Sequence, residues 1–421
     1  MIRYLLLSVF IICFVLMMNI SGQVFDYRYD ESPAVSLNGI SMTDSRQLSM
    51  GGISLAASGH AMQIGNPAWF PEVKGVEIGF SYGGVTYESF QFRGINEGVR
   101  KYPHPLAETL LFPASLAVRF GYSGFSLTAG WYRSALNEFP DFSFLSEYDF
   151  DQSDELSGTF TGSDESYFIS AGFSLSEKVN AGVKLEYKRG TRFAEVADIS
   201  SLYYFLDGYW QLKDKRSGYT ENNVSSVIIP EIGVVVELNP KLKAALKFSY
   251  PLKGKAERTV TRTLANSDGL NILDHYIYDD DHFEIPRVSA SLMYTIDGVK
   301  LLSSSGRLIL VGELTYLRWS EYKFIFFGEE LARDTADTFK ISAGAEYGKT
   351  VKKTELLFRI GAGADRQPVR EPGTVLMNLS AGFGINYMGI HAGIGVAYYH
   401  GSAGGVAQNH LQVCTSFSKV L

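Results

Sequence analysis

The chain has 421 residues, of which 46% are hydrophobic and 14% aromatic, with 42 glycines, and that makeup excludes disordered and coiled-coil classes. A formal net charge of -7 disfavours nucleic acid as a partner. The only cysteines are Cys13 and Cys414; once a leader holding Cys13 is removed, no internal disulfide and no cysteine-based metal site can form.

Met1-Ile2-Arg3 is followed by an apolar stretch from Leu5 to Ile20 that ends at the small residues Ser21 and Gly22. This predicts a cleaved secretory signal peptide over 1–22. A membrane anchor helix is the alternative, but the stretch is short for a span and lacks a basic stop. No other apolar run approaches spanning length.

Residues 23–74 lack a strand pattern. They contain Ser45-Arg46-Gln47-Leu48-Ser49-Met50-Gly51-Gly52-Ile53 and then Gly65-Asn66-Pro67-Ala68-Trp69-Phe70. Small residues let a backbone pack closely against other elements, as a plug inside a barrel must, and Asn-Pro marks a tight turn.

From Gly75 onward the side chains alternate with a period of two. Ala181, Val183, Leu185 and Tyr187 take every second place while Lys184, Glu186 and Lys188 fall between them, and Leu356, Phe358 and Ile360 alternate with Glu355 and Arg359. Strands are predicted at approximately 75–92, 113–122, 124–134, 165–176, 179–190, 224–238, 241–251, 282–297, 306–320, 337–349, 353–364, 374–386, 388–399 and 407–420. Connections after the even-numbered strands are short, as at Ser123, Asn239-Pro240, Val351-Lys352 and Tyr387, while those after odd-numbered strands are mostly long. A soluble sandwich gives no reason for that polarity; an outer-membrane barrel does, with short periplasmic turns and longer extracellular loops. The even count also lets the barrel close without an exposed edge. The expected fold is therefore all-β, a 14-stranded antiparallel transmembrane β-barrel over 75–421 with an N-terminal plug, 23–74, inside the lumen. Arg119, Lys184, Glu186, Lys188, Lys243, Lys247, Lys340, Glu346 and Arg359 are read as inward-facing, most of them in ion-pair ladders between strands.

The Met50-Gly51-Gly52 stretch followed by Asn66-Pro67-Ala68 resembles the N-terminal hatch of the FadL/TodX family of outer-membrane transporters for long-chain fatty acids and hydrocarbons. Ile285-Pro286-Arg287, Leu314-Thr315-Tyr316-Leu317-Arg318-Trp319-Ser320, and Arg359-Ile360-Gly361-Ala362-Gly363 leading to Gln367-Pro368-Val369 look like that family's later strands. Two places depart from the pattern: Ser58-Gly59-His60 stands where the family often carries acidic residues, and the chain ends in Leu421, not an aromatic residue. The resemblance implies a monomeric barrel plugged by its hatch. Ligand would be captured at the outer loops, passed to an inner pocket, and released either past the hatch or sideways where a kink in the third strand opens the wall. Here that strand is 124–134, with Gly130 as the expected weak point.

Two long loops are the ligand-collecting candidates. Residues 191–223 carry Tyr203, Tyr204, Phe205, Tyr209 and Trp210, an aromatic cluster costly to leave in water. Self-packing or contact with lipid headgroups is the competing explanation. Residues 252–281 bring Lys253, Lys255, Arg258 and Arg262, suited to a ligand carboxylate or to phosphates of membrane lipid and lipopolysaccharide. His275, Asp279, Asp280, Asp281 and His282 read as a solvated acidic tip; no metal site is expected. Asn409-His410 is the one pair suggestive of lipid hydrolysis and has no glycine-rich nucleophile signature near it, so no catalytic residues and no cofactor are expected. The function read from the chain is passive uptake of long-chain fatty acids or other hydrophobic small molecules. A protein secretion or attachment partner and a polar-solute porin are the alternatives.

Overall fold

The structure, a computed structural model, describes residues 44–55, 64–69, 74–88, 109–136, 139–147, 152–206, 209–266, 269–282, 284–301, 304–321, 324–326, 329–331, 336–366, 368, 375–403 and 406–421. The expected signal peptide lies outside them. Fourteen strands form the wall, each on one of the fourteen predicted segments: β1 Gly75–Glu88, β2 Thr109–Tyr122, β3 Phe125–Leu136, β4 Gln152–Ser176, β5 Val179–Leu206, β6 Tyr209–Asn239, β7 Leu242–Ser249, β8 Arg287–Leu301, β9 Ser304–Leu317, β10 Thr338–Val351, β11 Thr354–Arg366, β12 Val375–Tyr387, β13 Ile390–Ala403 and β14 Val406–Val420. Each pairs antiparallel with the next, and β1 pairs with both β2 and β14, from Glu77↔Val420 to Glu88↔Asn409, which closes the cylinder.

Alternation decides which face is which, and the answer is inside out relative to a soluble protein. Val183 and Leu185 on β5 are about half exposed, at 48% and 51%, whereas Lys184 and Glu186 between them are 3% and 4% exposed. Leu116, Val118, Ile169, Leu246, Ile341, Ile360 and Leu379 likewise point outward, forming an apolar belt. Outward aromatic residues edge it, with Phe120, Tyr122, Phe125, Phe173 and Tyr387 at the short-turn end and Tyr82, Tyr167, Tyr187 and Tyr250 at the other. An apolar belt between aromatic girdles is the surface a lipid bilayer selects. No helix among the described residues is long and apolar enough to cross a membrane. The short ends are tight: Ser123-Gly124 and Met388-Gly389 have positive φ at both positions, the two-residue hairpin geometry that matches strand twist.

The other end corrects the loop assignments. Residues 191–223 are not an irregular loop; β5 and β6 run on as a paired ladder to Leu206↔Tyr209. Within 252–281 lie a strand Gly254–Asn266, paired to Arg216–Ser226 of β6, and a strand Gly269–His282 paired back to it. Phe139–Glu147 adds to Ser153–Phe160 of β4. Six strand segments thus rise on one flank as a continuous fin. The extension of β5 from Thr191 to Leu206 alone is roughly 50 Å long at the usual rise per residue.

Candidate functional site

The described parts of the N-terminal segment lie against the inner wall. Residues Ser45–Ser49 form a short helix, α1, over β11 to β14. Its N-cap is Asp44, which accepts from the backbone N–H of Arg46 at 2.7 Å and of Gln47 at 3.4 Å. The wall is notched to take this backbone. A Cβ on Gly361 of β11 would stand 2.2 Å from the Gly51 nitrogen, and one on Gly233 of β6 would stand 2.1 Å from Oδ1 of Asn66. Only glycine permits either approach. Met50 and Ile53 pack with Met293, Ile309 and Val311, and Leu55 and Ala68 pack with Val235 and Ala245; Trp69 touches both groups.

The charged lumenal residues meet this segment or one another. Glu346 on β10 accepts two bonds from Arg46, both 2.9 Å, and one from Arg359 Nε at 2.6 Å, a buried Arg–Glu–Arg triad. Glu313 on β9 accepts from the Ser54 and Leu55 backbone N–H groups at 2.9 and 2.8 Å and from the Ser54 hydroxyl at 2.8 Å. Gly51 N–H donates to Ser380 Oγ at 2.9 Å. Lys184 donates to the Ile64 carbonyl at 3.0 Å while pairing with Glu186 and Glu231 at 2.9 and 2.6 Å. Further up the same wall Lys188 pairs with Asp164 and Glu284; Lys247 shares Glu231 with Lys184, and Arg119 on β2 pairs with Glu77 on β1. The inner face is therefore a set of compensated charges, where the sequence left open a water-filled charged channel.

Burial raises the Asp44 carboxyl above its ordinary value, against the Arg46 N–H and the charges of Arg359 and Arg46, which pull it down. A raised value in the fold means that this group's favourable contribution is present at low pH and is lost as pH rises through the raised value. Asp44→Asn keeps the capping oxygen and removes the buried charge, so it is expected to equal or exceed the wild type in urea unfolding at neutral pH. Asp44→Ala removes the cap as well and is expected to cost about 1 kcal/mol.

Of the residues singled out in the sequence, Met50, Gly51 and Gly52 meet the inner wall at β10 and β11, and Asn66, Pro67 and Ala68 meet it at β5 and β6, with Met50, Asn66 and Ala68 fully buried. The collecting residues do not come together. Tyr203, Tyr204 and Phe205 pair in backbone register with Leu212, Gln211 and Trp210 at the tip of the fin, beside Tyr209, whereas Lys255 pairs with Ser226 at its base. Sixteen residues of strand, roughly 50 Å, separate Ser226 from Trp210. Lys253 and Lys255 are exposed, and Arg258 is partly buried.

Gly130 is paired on both sides, to Ala117 and to Phe168. Pairing between β2 and β3 instead stops two residues further on, at Ser115↔Tyr132. Beyond it β2 continues to Thr109 paired only to β1, and β3 continues to Leu136 paired only to β4, with a register break between Arg133 and Ala135. Among the described residues no ladder joins the upper part of β2 to that of β3, so the wall has a seam there. The sequence signal for it is Pro113, inside β2 at a bulge: proline cannot donate to a ladder and sits at strand edges and bulges. Tyr132 and Phe168, with Ile64 and Ala117, form an apolar cluster on the lumenal side of its lower end.

A closed antiparallel barrel of fourteen strands has solved counterparts. The chain has the FadL/TodX barrel fold. The monoaromatic hydrocarbon channel CymD superposes with a TM-score of 0.58 at 15% identity, covering 92% of this chain and 99% of its own. The Pseudomonas putida toluene transporter TodX gives 0.55 at 13% identity, over 91% and 99%. A Pseudomonas aeruginosa FadL homologue gives 0.53 at 12% identity, over 89% and 97%. No protein-family model and no curated protein sequence matches the chain.

Proposed function

We propose that this protein is an outer-membrane channel that passively admits hydrophobic small molecules, hydrocarbons or long-chain fatty acids, and that residues 23–74 are its hatch. What supports the reading is the packing of the described N-terminal residues against the lower inner wall, together with a stretch of wall above them that is left unpaired among the described residues. A solute entering from outside meets these residues and has a sideways way out through the seam into the apolar belt. The compensated lumenal charges favour apolar cargo over a stream of ions or polar solutes, since among the described residues Lys184, Lys188, Lys247, Arg46, Arg119 and Arg359 each already have a carboxylate. The similar structures, a monoaromatic hydrocarbon channel and a toluene transporter, support the same class of cargo. Release follows binding without energy coupling, and the closed cylinder needs no second copy to complete it.

The test is uptake across vesicles whose outer leaflet is lipopolysaccharide, with pyrene as an uncharged hydrocarbon and a fluorescent long-chain fatty acid as the anionic alternative. Folded protein is expected to accelerate entry of at least one of them over protein-free vesicles. If folded barrels accelerate neither, the transport reading fails; acceleration of a small sugar instead assigns a porin.

A further inference from the structure

Arg133 lies on β3 one residue past the last β2–β3 pair, where the seam begins. Its guanidinium carbon sits 5.2 Å from the centre of the Phe112 ring, and Phe112 belongs to β2, the opposite lip. Phe112 is buried and folded inward over Gly83 of β1, where a Cβ would come within 3.1 Å of its ring. On its other side Arg133 pairs with Glu165 of β4 at 3.4 Å, and Tyr167, in the upper aromatic girdle, donates to that same carboxylate at 3.3 Å. No backbone ladder holds the lips together here. Among the described residues, what crosses the seam is this side chain, stacked on one lip and tethered through Glu165 on the other.

We propose that Arg133 is the latch of the seam, with Glu165 as its catch and the Phe112 ring as the surface it closes on. The proposal rests on the lateral-release reading above. An apolar molecule leaving the lumen between β2 and β3 has to pass a guanidinium that lies across its path. Arg133 swings aside only by giving up its stacking on Phe112 and its pair with Glu165. The ion pair is partly exposed, and both interactions are individually weak, which suits a part that opens on each passage. A buried ion pair of the kind seen at Glu346 would hold the wall shut. The latch thus sets the rate of release without setting the identity of the cargo.

The experiment uses the full mature chain in a Cys414→Ala background, reconstituted in the lipopolysaccharide vesicles, with pyrene as probe. Arg133→Met keeps an apolar stem and loses both contacts. Glu165→Gln leaves the seam-lining residues intact and loses the catch. Each is expected to speed pyrene entry by about fivefold, the effect on a barrier of losing contacts of this strength. In a third protein Leu111→Cys and Ala135→Cys are joined by a short bis-maleimide to tie the lips. If tying abolishes entry while both single variants run at or below the wild-type rate, the latch is overturned and lateral release stands. If tying leaves entry unchanged, lateral release itself fails and the latch with it. Folding is checked by heat-dependent electrophoretic mobility, and should Arg133→Met not fold, Glu165→Gln alone decides.

Discussion

Deletion of residues 45–70 is expected to turn the barrel into an ion-conducting pore, with conductance in planar bilayers rising by about tenfold or more over the intact chain. The deletion empties the lower lumen of Met50, Ile53, Leu55, Ala68 and Trp69, which together meet Met293, Ile309, Val311, Val235 and Ala245 on the wall. It also removes every partner that Glu313 is seen to hold, and the Arg46 half of the charge opposite Glu346. Carboxylates so exposed in a space of this width draw in water and cations. The wall itself is closed by strand pairing all round its lower half and does not depend on the segment for its ladders. Conductance unchanged in a correctly folded deletion would remove the hatch assignment and leave the fold untouched.

The second large effect is predicted at Glu346. Glu346→Gln leaves Arg46 and Arg359 facing one another with side chains 15% and 3% exposed and no carboxylate between them. Breaking a buried pair by removing one partner costs about 3–5 kcal/mol, since the remaining charge is stranded away from water. The expected result is a clear fall in the urea midpoint of the reconstituted barrel. Arg46→Met serves as the contrast: Glu346 keeps Arg359, so the loss is expected to be the smaller of the two, and a loss equal to that of Glu346→Gln would show that the triad does not act as argued.

Much of this was legible in the order of residues, for a physical reason that also explains what was not. Wherever a strand crosses lipid, one face must be apolar and the other faces a polar interior, so the period of two is imposed on the sequence, as at Val183-Lys184-Leu185-Glu186. All fourteen strands carry that mark, and their lower ends fall within a few residues of the predicted turns. Above the membrane both faces of a strand are wet, and the mark vanishes. Lys255-Ala256-Glu257-Arg258-Thr259-Val260-Thr261-Arg262 reads as a polar loop and is a strand. The inner segment was legible in its glycines and in Asn66-Pro67, because close backbone contact restricts residue choice. Its anchors were not. Arg46 and Glu346 are 300 positions apart, and no local pattern ties an acid to the base it will meet across a lumen. Glu313 was missed for the same reason. The seam was sought at Gly130, where flexibility suggested it, while the residue that cannot support a ladder, Pro113, stood on the neighbouring strand.

The notches at Gly233 and Gly361 bear on how the molecule is put together. Gly361 admits the Gly51 nitrogen and Gly233 admits the Asn66 Oδ1, and the two sit on β11 and β6, apart around the cylinder. The N-terminal segment precedes β1 in the chain, and β1 closes the cylinder on β14. One end of the chain thus carries both the piece seated in the notches of the wall and the strand that seals it.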